Sequence, residues 1–226
     1  MNRSQSFLLL LVLTSIADLL ALMFDWSIVH EGAKPLIMLS LIGYYLTSVT
    51  QRSSSFVRAL FFCWAGDVLL LFKTEGELFF IAGLGAFLIG HVLYIVSYRE
   101  HQWAETKNQL LTTQKIWFSL PIVVAGTGLI AMLFPTLGPL KIPVLVYAAV
   151  LMLMVMTALF RYGRTTTLSF WMMFGGAVIF MVSDSALAIN KFYVAFNYSG
   201  PIIMLTYISA QYLIVEGALN HKLVKN

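Results

Sequence analysis

Eight apolar stretches, each near the twenty or so residues that carry a helix across a lipid bilayer, follow one another with only short polar or Gly/Pro-containing breaks between them. They cover 6–24, 34–50, 56–73, 77–98, 114–134, 141–160, 167–189 and 198–219. The expectation is an all-α polytopic membrane protein, a single bundle of eight transmembrane helices forming one domain over 1–226. Composition agrees: 60% of the 226 residues are hydrophobic and 11% charged, where soluble domains carry about a quarter charged residues. The longest polar connection, 99–113, is too short to fold alone. The opening 24 residues have the charged start and leucine-rich middle of a signal peptide. No small-residue cleavage site follows, and the apolar run continues past Asp18 to Phe24, so an uncleaved first helix is expected.

Lysine and arginine set the orientation. With eight spans, one face carries Arg3, Arg52, Arg58, Arg99, Lys107, Lys115, Arg161, Arg164, Lys222 and Lys225, and the other only Lys34, Lys73, Lys141 and Lys191. Ten against four makes the first face cytoplasmic, with both termini inside. The net charge of +4 is then topology and anionic-lipid contact, with no nucleic-acid partner implied. Cys63 stands alone in an apolar run and is expected to pack. No tandem repeat or linker is visible, and no matched pair of Gly/Pro-interrupted segments suggests a transporter's inverted halves.

Asp67, in WAGDVLLLF, and Asp184, in VIFMVSDSALAIN, interrupt such runs. Ionisable groups within a membrane segment are costly and usually mark a functional cavity. Asp67 lies six residues before Lys73, Asp184 six before Asn190 and Asp18 seven before Asp25. At 1.5 Å per residue all three sit roughly 9–10 Å below the outer face, a depth at which they can line one cavity. Lys34, with Pro35 at a first-turn position, is expected to open the second helix at the rim above them. His91 shares a stripe with Tyr94 and Tyr98 and lies about 20 Å from the outer face, counted from Glu77. Tyr207 and Gln211, one turn apart on the eighth helix, add a phenol and an amide. The candidate set is therefore Asp67 and Asp184 as catalytic groups, with Lys34, His91, Tyr94, Asn190, Tyr207, Gln211 and Asp18 as substrate-binding groups. Gly66 and the Gly175–Gly176 pair are expected to allow close helix packing. No HExxH, paired-cysteine or G-x-S-x-G pattern supports a zinc protease or an α/β-hydrolase. No metal and no cofactor are expected.

In order along the chain, KPLIMLS at 34–40, GDVLLLF at 66–72, GAFLIGHVLY at 85–94, SDSALAINKF at 183–192 and YISAQYLI at 207–214 resemble the YhhN family of integral membrane proteins, to which animal lysoplasmalogenases belong. The resemblance implies eight membrane helices and hydrolysis of the vinyl ether bond of a lysoplasmalogen, giving a fatty aldehyde and glycerophosphoethanolamine or glycerophosphocholine. It maps the family's two intramembrane aspartates onto Asp67 and Asp184. The implied partners are a lysophospholipid substrate and membrane lipids, and the implied setting is a bacterial inner (plasma) membrane.

The chemistry asks for such groups. A vinyl ether is cleaved by protonating the carbon distal to oxygen, which leaves an oxocarbenium-like cation that water captures. Desolvation favours the neutral, proton-donating form of one carboxyl, while a second held as an anion by Lys34 or by hydrogen bonds stabilises the cation and takes the proton of water. Ser183 and Ser185, flanking Asp184, make it the expected anion. The competing reading is a proton-coupled transporter or channel that uses the same carboxylates and histidine as a relay.

Overall fold

Polar punctuation between the apolar runs becomes helix ends, many of them closed by the chain itself. The computed structural model describes residues 2–72, 76–104, 106 and 108–221; Lys73, Lys107, Lys222 and Lys225, counted above for topology, lie outside them. Eight α-helices are described: α1 (Arg3–Met23), α2 (Ser27–Ser48), α3 (Ser54–Leu71), α4 (Glu77–Glu100), α5 (Thr112–Leu133), α6 (Lys141–Leu159), α7 (Thr167–Phe192) and α8 (Ser199–Leu219). A single 3₁₀ turn, Gly138–Leu140, precedes α6, and there is no strand among the described residues. Seven of the helices are long and apolar enough to cross a membrane. The exception is α2, whose first two turns carry His30, Glu31 and Lys34. Large apolar side chains point outward, Ile28 at 84% exposure and Trp117 at 70% among them. Water would not tolerate a surface of that kind, and lipid matches it. The chain is an integral, multi-pass membrane protein.

The chain divides into two compact units, Met1–Ser97 and Tyr98–Asn226. In the first, α1 and α2 form a hairpin with a three-residue link. Asp25 adopts left-handed backbone, φ 56°, which a short polar side chain tolerates better than most. Trp26 N–H then reaches back to Ala21 O at 2.8 Å and closes the end of α1. The second helix therefore begins seven residues before the expected Lys34. Lys34 lies two turns inside it, roughly 10 Å from its start, and Pro35 is interior to the helix. The link was short and the polar turns were helical, against the sequence expectation. Ser53 caps α3 by accepting from Phe56 N–H at 3.1 Å. A Cβ at Gly66 would stand 2.6 Å from the Phe87 ring, so the missing side chain lets α3 close on α4 beside Asp67. Cys63 is fully buried.

In the second unit, α7 and α8 approach closely through glycines on both. A Cβ at Gly176 would meet Ala210 O at 2.8 Å, and one at Gly217 would meet Met173. Gly175 faces nothing within 4 Å, so only one of the paired glycines serves packing. The link between α6 and α7 is held by Arg161, which has no exposed surface. Its guanidinium donates to His101 O at 2.9 Å, Ser169 Oγ at 2.7 Å, Ser169 O at 3.3 Å and Thr165 Oγ1 at 3.4 Å. Ser169 Oγ in turn donates to Gly217 O, and Thr165 Oγ1 contacts His221 Nδ1 at 2.8 Å. Burial pushes Arg161 down to about 10, opposed by Tyr98. His221 is pushed down to about 4 by burial, then by His101 and Arg161.

Candidate functional site

In the first unit α2 carries two basic side chains one turn apart, and each meets a carboxylate on a neighbouring helix. Lys34 Nζ lies 4.0 Å from Asp67 Oδ1 of α3. Both residues are buried, at 8% and 3% exposure. His30 Nδ1 lies 2.7 Å from Asp18 Oδ1 of α1. Asp18 is wholly buried, and its second oxygen, Oδ2, has no hydrogen-bond partner among the described residues. Hairpin geometry explains this second pair. Asp18 sits five residues before the end of α1 and His30 three after the start of α2, so a tight turn brings them face to face. His91 and Tyr94 of α4 are also fully buried in this unit. Tyr94 packs edge-on to Phe56 with centroids 5.7 Å apart, and Phe56 meets Tyr45 at 4.7 Å. Buried in this way, Tyr94 is not a membrane-interface anchor.

The second unit holds Asp184. Tyr147 of α6, itself nearly buried, donates its hydroxyl to Asp184 Oδ2 at 2.5 Å. The flanking serines expected to serve Asp184 do not: Ser183 Oγ donates to Ile203 O at 2.9 Å and Ser185 Oγ to Met181 O at 2.6 Å. Neighbours in sequence point to different sides of a helix, and each hydroxyl finds a backbone carbonyl. Asn190 Oδ1 accepts Phe196 N–H at 3.3 Å and so braces the turn after α7. Tyr207 and Gln211 are buried in α8, Tyr207 packing edge-on against Phe180 at 5.6 Å.

The candidate residues thus fall into two sets, with Asp18, Lys34, Asp67, His91 and Tyr94 in the first unit and Asp184, Asn190, Tyr207 and Gln211 in the second. Two participants were not anticipated from the sequence, His30 and Tyr147. Among the described residues no three His, Cys, Asp or Glu side chains gather at metal-binding distance. A cavity of about 610 Å³ in the second unit is lined by Asn108, Gln114, Phe118, Tyr162, Trp171 and Phe174, among others. Phe174 lies ten residues before Asp184 on α7, about 15 Å along the axis, so that cavity is not where Asp184 sits.

Comparison with known proteins adds what geometry alone does not. The chain is 34% identical over 142 residues to the lysoplasmalogenase of Mycobacterium bovis, an alignment covering 61% of this chain and 50% of that one. It is 28% identical over 185 residues to lysoplasmalogenase TMEM86A of Bos taurus, covering 80% and 71%. Against lysoplasmalogenase TMEM86B of Homo sapiens it is 28% identical over 195 residues, covering 85% and 76%. The chain thus spans half the length of the mycobacterial relative. No solved structure matches. The YhhN family matches residues 29–218, a stretch that runs from α2 to α8 and includes His30, Lys34, Asp67, Tyr147 and Asp184, and the chain therefore belongs to the YhhN family of membrane proteins.

Proposed function

We propose that the chain is a membrane-embedded hydrolase that cleaves the vinyl ether bond of lysoplasmalogens, releasing a fatty aldehyde and glycerophosphoethanolamine or glycerophosphocholine. The observation that carries the reading is the membership in a family with relatives named lysoplasmalogenase, in a chain where Asp67 and Asp184 are each set in an apolar helix with a partner of their own. Asp184 delivers the proton to the distal vinyl carbon. Its hydrogen bond from Tyr147 stabilises the carboxylate left behind. Asp67, paired with Lys34, supplies the negative charge that stabilises the oxocarbenium ion. Lys34 also offers a cation to the phosphate of the lipid head group. His91, Tyr94, Tyr207, Gln211 and Asn190 belong to the surroundings that shape and orient the bound lipid. The protein lies in a plasma membrane, the inner membrane of a bacterium, with both termini in the cytoplasm, as its ten-to-four charge bias supports.

The decisive experiment incubates purified protein in detergent with lysoplasmenylethanolamine and follows aldehyde and glycerophosphoethanolamine by mass spectrometry. Turnover is expected, with a loss of about 100-fold or more in Asp67→Asn and Asp184→Asn. Full activity in either variant rejects its catalytic role. Proton flux into liposomes without any hydrolysis product replaces the hydrolase reading with a transporter. Cysteine-accessibility mapping at both termini tests the orientation.

A further inference from the structure

The proposed reaction needs one more group, an acceptor for the proton of the attacking water. Asp18 and His30 have the geometry of one. With Asp18 as a carboxylate, which can only accept, the 2.7 Å contact takes its hydrogen from His30 Nδ1, and in the neutral ring Nε2 then carries the lone pair. The Asp18 side chain has no exposed surface while that of His30 is 23% exposed. The ring therefore bridges a buried anion and open space. His30 and Lys34 stand at i and i+4 on α2, about 6 Å apart at Cβ, and Lys34 touches Asp67. The dyad thus lies one helical turn nearer the start of α2 than the Asp67–Lys34 pair. A purely structural pair fits this setting poorly. Burying a carboxylate among apolar helices to hold one histidine is no more stabilising than two well-packed hydrophobic residues, and here the second carboxylate oxygen has no partner among the described residues.

We infer that His30 is a further catalytic residue, the base that deprotonates water, with Asp18 as the positioning residue that fixes its tautomer and balances its charge. The inference rests on the hydrolase reading and deepens it. Once the distal carbon has been protonated, water oxygen bonds to the cationic carbon and its proton passes to His30 Nε2, giving a neutral hemiacetal. As the hemiacetal's bond to the glycerol oxygen breaks, that oxygen takes the proton from His30. The hemiacetal hydroxyl returns its proton to the carboxylate that supplied the first one, and aldehyde and alcohol leave with acid and base both restored.

The test measures aldehyde release by wild type, His30→Ala, His30→Gln and Asp18→Asn in lipid nanodiscs, with folding checked by thermal melting. For both His30 variants kcat is expected to fall about 100-fold or more, with KM within about threefold of wild type. Added imidazole should restore part of the His30→Ala loss, and Asp18→Asn should lose about tenfold in kcat. Should the alanine variant not fold, His30→Gln carries the test. Should neither fold, carbethoxylation of the wild type, located on His30 by mass spectrometry, should abolish turnover. Undiminished kcat in a folded His30 variant, a rise in KM alone without imidazole rescue, or full activity with His30 carbethoxylated overturns the inference and leaves the hydrolase reading standing. A wild type that cleaves no vinyl ether overturns both.

Discussion

Replacing Tyr147 with phenylalanine isolates one hydrogen bond. The ring that packs α6 in the second unit is kept, and only the hydroxyl 2.5 Å from Asp184 is removed. Hydrogen bonds to charged groups contribute about 1.5–3 kcal/mol. If Asp184 gives up its proton in the transition state, the carboxylate being formed loses that much stabilisation while the neutral ground state loses less. At 1.4 kcal/mol per tenfold in rate, kcat should fall about 10- to 100-fold. KM should move little, because the hydroxyl is already engaged by a protein group. The assay is initial-rate aldehyde release from lysoplasmenylethanolamine at saturating lipid, with circular dichroism and thermal melting to show that the variant is folded. A folded Tyr147→Phe variant with kcat within twofold of wild type would refute the role given to this contact. A raised KM at unchanged kcat would move Tyr147 from stabilising charge to holding substrate.

Lys34→Gln leaves the Asp67 carboxylate without its nearby ammonium, and kcat/KM should fall about tenfold or more, part of it in KM through the lost contact to phosphate; unchanged kinetics would remove Lys34 from the site. Arg161→Met leaves His101 O and Ser169 O without their buried donor and should cost about 3 kcal/mol, or roughly 6–12 °C in melting temperature, while turnover per folded molecule stays near wild type. His221 is held neutral in the fold, with its value lowered to about 4, whereas the unfolded chain titrates near 6.5. Between those values the unfolded state binds the extra proton, so melting temperature should be level above pH 6.5 and fall as the pH drops towards 4. His221→Gln should flatten that slope.

All eight helices were legible because each contains an apolar run, seven of them long and apolar enough to cross a bilayer, and most of the ends fall within three residues of the expected positions. The start of α2 was not. His30, Glu31, Gly32 and Lys34 read as a polar link, yet in the structure they wind into helix, where tertiary partners override local polarity. That single displacement hid the dyad. Extending α2 back to Ser27 would have set His30 opposite Asp18 across a three-residue turn, from hairpin geometry alone. Asp67 was legible as an intramembrane charge, and Lys34, read at the rim above it, was legible as a cation able to pair with a carboxylate, although it lies two turns inside its helix. The partner of Asp184 was not legible, since adjacency pointed to Ser183 and Ser185, whereas Tyr147 lies 37 residues away. Arg161 read as one more topology-setting arginine. Nothing local in the sequence marks it as the buried hub between the α6–α7 link and the ends of α7 and α8.

The α1–α2 hairpin also bears on how the protein reaches the bilayer. Alone, α1 would carry a bare aspartate into hydrocarbon, and α2 would carry a glutamate and a lysine, each worth about 2.5–3.5 kcal/mol against insertion near the middle of a span. Met as a pair, with Asp18 on His30 and only three residues to cross between them, the two helices cancel part of that penalty. Such a pair should be released from the insertion machinery jointly, and α2 should depend on α1 to become membrane-spanning at all.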